Sequence, residues 1–554
     1  MEAVESNEPQ SGTDRRTSKR DRRAFWACLF ILVNNCFQYT AHFGVSTNLV
    51  NYLKDRLHEG SKAAANGVTN WQGTCAITPL LVAFVSDAFL GRYWTIVLFM
   101  LISVVAYGVL TASAAAALQG AAFYAGLYLL ALGGTQQAVL TSFGADQFDE
   151  SDEEDRRRRS SFFNWFYLSI NVGSLVGGTV LVWVQSSVSW GLGYGVPAMF
   201  NVLALAVFLA GTTAYRRHQP PGGSPLTRVA QVIVAAVKKC GVDTPADASV
   251  LYECDAGDGM SAIQGSRRLA HTDQFRFLDK AAVETADDKA RPSPWRLCTV
   301  TQVEELKCVL RLLPVWATGI IFSVAYTQMS TTFILQGDTL DPYIGGFRVP
   351  AAVLSVFDTL SVMLWVPLYD RVIVPLARRA TGHERGFTQL TRMGVGLVVL
   401  AVAMVAAGAL EVARRRVIAL HGMYDTNNGA DGRYLPLSIF WQVPQYAVVG
   451  ASEVFAFIGQ SEFFYDQAPD AMRSLCSGLS LTSFALGNYA SSALMAIVAR
   501  ATAHGGSRGK DGWVPDNINR GHLDNFFWLL AMLCIGNFCA YLLIARWYTY
   551  KKTG

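Results

Sequence analysis

The sequence predicts an all-α membrane protein of about twelve transmembrane helices in two six-helix bundles. Two observations lead there. Roughly a dozen apolar stretches, each near the ~20 residues a membrane-spanning helix needs, fall six before and six after one polar gap at 216–300. The 554-residue chain is also 51% apolar and only 16% charged, too oily and too sparsely charged for an ordinary soluble protein.

The expected spans lie near 25–50, 68–90, 93–114, 118–142, 161–186 and 191–214, then near 307–336, 349–377, 388–410, 437–466, 472–501 and 524–547. The domain reading follows: a disordered basic tail over 1–24, bundles over 25–215 and 301–547, a cytosolic linker over 216–300, and a short tail over 548–554. Asn34, Asn35 and Gln38 interrupt the first span and no small-residue cleavage site closes it. It is expected to be a retained helix, not a removed signal peptide.

Charge placement sets the orientation. Arg15, Arg16, Lys19, Arg20, Arg22 and Arg23 precede the first span. With that end inside, the inner loops hold Arg92, Arg156 to Arg159, Arg378, Arg379, Arg385 and Arg473, and the tail holds Lys551 and Lys552. The positive-inside rule then predicts both termini in the cytosol, with Arg414 to Arg416 breaking the trend. Within the linker, Leu226, Val229, Val232, Ile233, Ala236 and Val237 recur at helical spacing, with Arg228, Lys238 and Lys239 opposite. That predicts a short amphipathic helix on the membrane surface or against the bundle. The ten cysteines show no metal-ligand spacing and read as buried small hydrophobes or reduced thiols.

Several runs resemble the proton-dependent oligopeptide transporter family, and its plant nitrate and peptide branch in particular. They are Asp87-Ala-Phe-Leu-Gly-Arg-Tyr93, Phe143-Gly-Ala-Asp-Gln-Phe-Asp149, Phe166-Tyr-Leu-Ser-Ile-Asn-Val-Gly173, Tyr369-Asp-Arg-Val372 and Glu462-Phe-Phe-Tyr-Asp-Gln-Ala-Pro469. The resemblance covers about 25 to 547. It implies the major facilitator superfamily fold, a central cavity open alternately to each side, and usually proton-driven uptake of small peptides or nitrate. In that superfamily, short charged turns after helices 2 and 8 pin the inner gates. Here Asp87 with Arg92 and Asp370 with Arg371 occupy them.

The departures bear on coupling. The first-helix Glu-x-x-Glu-Arg of the family reads Asn35-Cys-Phe-Gln38-Tyr39, and the helix-4 lysine falls on Gln137. The helix-2 tyrosine falls on Ala76, and a tyrosine pair on His42-Phe43. Coupling needs an acid that takes a proton on one side and a base that competes for it. Their absence predicts weak or no proton drive.

What remains is a set of polar, mostly uncharged candidates for substrate contact: Gln38, Tyr39, Gln137, Tyr167, Asn171, Gln328 and Gln445. Asn171 matches the helix-5 signature asparagine, with Tyr167 one turn before it on the same side. Glu453 is the exception. It lies in the apolar run from Leu437 to Phe457, where a carboxylate costs about 2.5–3.5 kcal/mol even on the lenient insertion scale. It matches the helix-10 glutamate that, in peptide-transporting relatives, pairs with the substrate's amino terminus. Against each stands a bland reading: a carboxyl satisfied by a neighbouring hydroxyl, or amides that merely glue helices together.

The expectation is a secondary transporter of small solutes (peptides, nitrate or other small metabolites) working by alternating access. Plant hormones or specialised metabolites are the alternative substrate class, and a non-transporting membrane sensor the alternative function. No nucleophile–base set, phosphate-binding glycine loop or metal cluster is present, so no enzyme, cofactor or metal is expected. The expected partners are a small-molecule substrate and the lipid bilayer. Nucleic acid is not among them, because anionic lipid explains the basic N-terminal arm more simply. The plasma membrane is the expected location, with the vacuolar membrane as alternative.

Overall fold

Apolar runs this long have no backbone partner in hydrocarbon except their own next turn, so they fold as helices. In the computed structural model the described residues run from 10 to 551, apart from 50–51, 54–55, 59–60, 117–119, 135, 149–151, 217–224, 246, 248–249, 254–262, 264–265, 286, 289–292, 345–346, 350, 383–385, 425–433, 503–511 and 516–517. Cys254, Arg385, Lys552 and the linker glycines Gly222 and Gly223 lie outside them.

In the first half the helices are α1 (Gln10–Ser46), α2 (Ser61–Val85), α3 (Arg92–Ala116), α4 (Ala121–Gly133), α5 (Gln137–Ala145), α6 (Glu153–Val176), α7 (Val182–Ser187) and α8 (Trp190–Ala210). After the linker helix α9 (Pro225–Lys238) come α10 (Val300–Tyr326), α11 (Thr332–Gly337), α12 (Val356–Leu368), α13 (Val374–Thr381), α14 (Gln389–His421), α15 (Val443–Gln467), α16 (Arg473–Thr502) and α17 (Leu523–Trp547). Among the described residues, ten helical segments are long and apolar enough to cross a membrane. Among the described residues there are four short strands, with β1 (Leu340–Asp341) parallel to β4 (Leu435–Ser438) and β2 (Tyr343–Ile344) antiparallel to β3 (Phe347–Arg348).

Two differences from the expected spans have local causes. The fourth span is broken between α4 and α5 at Gly133-Gly134, a pair of poor helix formers. The fifth and eighth carry π-helical turns, at Gly177–Leu181 and Tyr369–Ile373, and a third at Ser86–Leu90 closes the second. Asp87 and Asp370 thus each sit on a π-turn at the end of corresponding spans, an echo in backbone as well as in sequence.

The chain divides into two compact units: Met1–Thr78 with Leu90–Gln219, and Pro79–Phe89 with Pro220–Gly554. The first is held by aromatic packing, with the Tyr52 and Phe123 rings stacked at 4.4 Å and Trp71 Nε1 donating to the Leu127 carbonyl at 3.0 Å. The second has a larger apolar core, aliphatic and aromatic, around Leu312, Leu400, Met404, Phe463 and Leu530.

The linker packs with the second unit. Its helix forms where expected, but its faces differ: Val232, Ala235 and Ala236 are buried, while Leu226, Ile233 and Val237 are exposed. The reason is charge. Buried acids draw Arg228 and Lys239 inward, Arg228 to Glu305 at 3.1 Å and Lys239 to Asp288 at 2.8 Å. Burial favours the neutral form of Asp288, but Lys239 and the hydrogen bonds from Thr285 outweigh it and hold the carboxyl below its ordinary range.

The buried start of α10 repeats the pattern, with Glu304 bonded by Lys307 at 2.9 Å and Arg311 at 3.2 Å. Arg414, which broke the charge trend, is fully buried against Glu411 at 2.6 Å, and Arg415 pairs with Asp524 at 2.9 Å. These two are protein-paired charges, not free loop charges. Nine cysteines among the described residues are free thiols, Cys240 and Cys539 exposed; burial pushes the Cys298 thiol up to about 11.

Candidate functional site

In the first unit the candidate side chains sit on α1, α5 and α6. Close approach of two backbones places them: a Cβ on Gly173 would stand 2.5 Å from the Cys36 carbonyl oxygen, so only glycine lets α6 lie this near α1. The amides then bond one another. Gln38 Nε2 donates to Asn34 Oδ1 at 3.1 Å and its Oε1 accepts from Gln136 Nε2 at 2.8 Å, while Asn34 Nδ2 donates to the Ala204 carbonyl at 2.8 Å. Asn35 donates to Ser169 Oγ at 2.8 Å. The Tyr39 hydroxyl is hydrogen-bonded to Gln137. Asn171 is buried, with Nδ2 donating to the Tyr167 carbonyl one turn back at 3.0 Å. Every group in this set is neutral.

The second unit differs. Glu453 lies on α15 and is 2% exposed, and a second acid faces it: Asp358 of α12, 5% exposed and hydrogen-bonded to Glu453. The Tyr326 hydroxyl, at the end of α10, is also hydrogen-bonded to Glu453. A glycine again sets the approach, because a Cβ on Gly450 would stand 2.7 Å from the Asp358 carbonyl oxygen. Gly450 and Glu453 are three residues apart and share a helix face. Ser361 fastens the joint, its hydroxyl donating to the Ala447 carbonyl at 2.6 Å. Phe457 and Phe484 pack on Tyr326 at ring distances of 5.3 and 5.6 Å.

Asp358 and Tyr326 are absent from the sequence-derived set. The signal for Asp358 was the one that singled out Glu453, an acid inside an apolar run. Gln328 and Gln445 prove to be engaged elsewhere. Gln328 is fully buried, donating to the Val324 carbonyl and Ser491 Oγ, both at 2.8 Å, and accepting from Thr332 at 3.1 Å. Gln445 Nε2 donates to Gln336 at 3.3 Å, and Gln336 donates to Glu411 at 2.8 Å. Both amides serve interhelix bonding in this structure.

The charged turns are built differently from one another. Arg92 forms an ion pair with Asp146, of the Phe143–Asp149 motif. Asp87 accepts from the Leu475 amide at 2.9 Å in the first turn of α16, where helix N–H groups lack internal partners. Asp370 is half-buried and Arg371 exposed on their π-turn. His271, Asp279 and Glu304 bring donor atoms within 4.8 Å of one another, but Lys307 already bonds Asp279 at 2.6 Å and Glu304 at 2.9 Å, so cations within the protein neutralise that cluster.

The comparisons with known proteins agree with one another. The family described as "PTR2: POT family" matches residues 93–514. Two relatives from Arabidopsis thaliana, Protein NRT1/PTR FAMILY 8.1 and 8.2, are 53% and 52% identical to the chain over 98% and 97% of its length, and over 98% and 96% of their own. Among solved structures, the POT family transporter PepTSo superposes with a TM-score of 0.59 at 20% identity, covering 94% of this chain and 98% of its own. A POT family transporter in complex with 5-aminolevulinic acid gives 0.58 at 13% identity, covering 94% and 96%. The structural likenesses carry the fold of these transporters, all-α and membrane-spanning, and the sequence matches carry the family. The chain therefore belongs to the POT family, a multi-pass membrane protein that transports small solutes and is not an enzyme.

Proposed function

We propose that the protein carries small organic solutes bearing a free amino group, short peptides among them, by alternating access with weak or absent proton drive. The observation behind this reading is the buried acid Glu453 of α15, joined by Asp358, with only neutral groups in the first unit's candidate set. Ammonium is the cation whose three donors suit clustered carboxyl oxygens. Gln137, Tyr167 and Asn171, with Gln38 and Tyr39, are the proposed substrate contacts of the first unit and offer only neutral hydrogen bonds. With Gln137 where the family has lysine, that set offers no fixed positive charge, which weighs against nitrate and other anions. Peptides enter the reading because solved relatives of the same fold include structures described as peptide transporters.

Asp87, Arg92, Asp370 and Arg371 serve the gates, and the plasma membrane is the proposed site of action. The weak drive follows from Asn35, Gln38, Tyr39 and Gln137, which cannot exchange protons near neutral pH.

The test is uptake in oocytes from a panel of dipeptides, their N-acetylated forms, nitrate, plant hormones and specialised metabolites, at acid and neutral external pH. Saturable uptake of the free-amino compounds, lost in Glu453→Ala, is the expected result. Uptake of nitrate alone, or saturable binding without flux, overturns the reading; the latter would make the protein a sensor.

A further inference from the structure

Two carboxyls joined by a hydrogen bond must hold a proton between them, because an ionised carboxylate can only accept. The Tyr326 hydroxyl bears on which acid holds it. Glu453 is hydrogen-bonded on two sides, to Asp358 and to the Tyr326 hydroxyl, and a hydroxyl donates most strongly to a charged acceptor, which leaves the proton to Asp358. One oxygen of each acid, Asp358 Oδ1 and Glu453 Oε1, is buried with no hydrogen-bond partner among the described residues, as suits a pair that shares a proton. A neutral acid's carbonyl oxygen tolerates that isolation far better than a carboxylate oxygen does.

The surrounding charged and titratable groups are otherwise engaged. Tyr446 of α15 donates to the Met329 carbonyl at 3.3 Å and also faces Asp338. Arg392 of α14 reaches the Val454 carbonyl at 2.7 Å, lies 3.7 Å from Glu462, and stacks on the Tyr369 ring at 4.1 Å.

We infer that Asp358 and Glu453 form an exchange site that holds one proton when empty and releases it when an ammonium group docks. The inference rests on the solute class proposed above and adds a residue, a stoichiometry and a sign. On docking, the Asp358 O–H bond breaks and its proton passes to solvent water. Both carboxylates then accept N–H bonds from the ammonium, and Asp358 Oδ1 gains the donor it lacks. The empty pair with one proton carries one negative charge. The loaded pair, two carboxylates and one ammonium, carries one as well. Buried charge is expensive in a bilayer, and a site whose net charge is the same empty and loaded presents the moving helices with the same electrostatic barrier in both states. A proton exchanged at the site, in place of one carried beside the solute, also fits a chain that has lost the first-helix acids.

Two measurements on the purified full-length protein test this. The first needs no solute: infrared difference spectra of wild type against the double variant Asp358→Asn with Glu453→Gln should show a protonated-carboxyl stretch that the variant lacks. A wild type without that band, or a variant that keeps it, overturns the inference. The second uses L-alanyl-L-alanine and its N-acetylated form in weakly buffered solution with a pH indicator. Wild type should release about one proton per free dipeptide bound, with affinity rising about tenfold per pH unit while the pair holds its proton.

Asp358→Asn, which mimics the protonated acid, should bind the dipeptide with no proton release and no pH slope. Binding without release in wild type, or equal release from Asp358→Asn, overturns the inference. If neither dipeptide binds, the proposed solute class fails and the infrared result still decides whether the pair holds a proton.

Discussion

The two units treat polar side chains inside apolar helices in opposite ways. In the first, Gln136, Gln38 and Asn34 form a run of hydrogen bonds in which each donor meets a neutral acceptor, with Gln136 Oε1 left buried and without a partner among the described residues. In the second, Glu453 meets another acid, an arrangement that is tolerable only with a proton or a cation present. Neutral amides, once paired, ask nothing further of their surroundings; an acid pair responds to whatever charge arrives. The difference places the capacity for chemical response on α12 and α15, and leaves α1 and α6 to shape and orient.

The largest effect should follow from removing the responding charge. Glu453→Gln keeps the size and one hydrogen-bonding oxygen but loses the charge-assisted bond, worth about 1.5–3 kcal/mol. Affinity for a free-amino dipeptide should fall roughly 10- to 100-fold, and the N-acetylated form should bind equally to both proteins. A Glu453→Gln protein that kept wild-type affinity would show that the acid pair plays no part in docking.

The two glycine crossings come next. Gly450→Ala would set a methyl 2.7 Å from the Asp358 carbonyl, and Gly173→Ala one at 2.5 Å from that of Cys36. Neither contact can be relieved by swinging a side chain, so each should destabilise by about 1–3 kcal/mol, as overpacking does. They should diverge in function. Gly450→Ala separates the acids and should flatten the pH dependence of dipeptide binding, while Gly173→Ala should lower stability with the pH slope intact. Equal flattening by both would mean that the response is not confined to the second unit. Thermal unfolding in detergent with binding at two pH values reads out both.

Much of this was legible in the sequence because hydrocarbon leaves a chain so few choices. Apolar length located ten of the roughly dozen expected spans among the described residues, and the rarity of acids in apolar runs singled out Glu453. Asp358 obeys the same rule but lies within no motif, and its meaning appears only once α12 is seen against α15. Gln328 and Gln445 show the converse. Their residue type suited a docking role, yet whether an amide faces a solute or a neighbouring serine is decided by packing between helices distant in sequence, which no local pattern encodes. The inward turn of Arg228 and Lys239 was hidden likewise, since its cause, Glu305 and Asp288, lies far along the chain.

A smaller effect is expected in the neutral set. Gln38→Leu removes one neutral hydrogen bond in each direction, about 0.5–1.5 kcal/mol apiece before partners rearrange. Dipeptide affinity should change by no more than a few-fold, without altering its pH slope. Gln38→Glu, which restores an acid to the first helix, is the informative companion. If it alone made uptake strongly acid-stimulated, proton drive would need only that one position, and the contrast between the units would be one of residue type and not of architecture.

The smallest effect concerns an acid whose partner is a base. Asp288 in the linker is held below its ordinary range, though burial pushes the other way, because Lys239 and the Thr285 hydrogen bonds favour the carboxylate. A carboxyl depressed on folding contributes stability that is present above its unfolded value, about 4, and lost as pH falls through its folded value. Acidification below roughly pH 4 should therefore loosen the linker from the second unit. Asp288→Asn should remove about 1 kcal/mol at neutral pH and erase that part of the acid dependence, measured by hydrogen exchange over 276–288. The acid pair has the opposite sign, since Asp358 and Glu453 hold together with a proton and lose that bond when it leaves. Exchange protection that weakened in acid at 276–288 and in base at 356–361 would show both responses in one unit, and a shared sign would remove the distinction drawn between them.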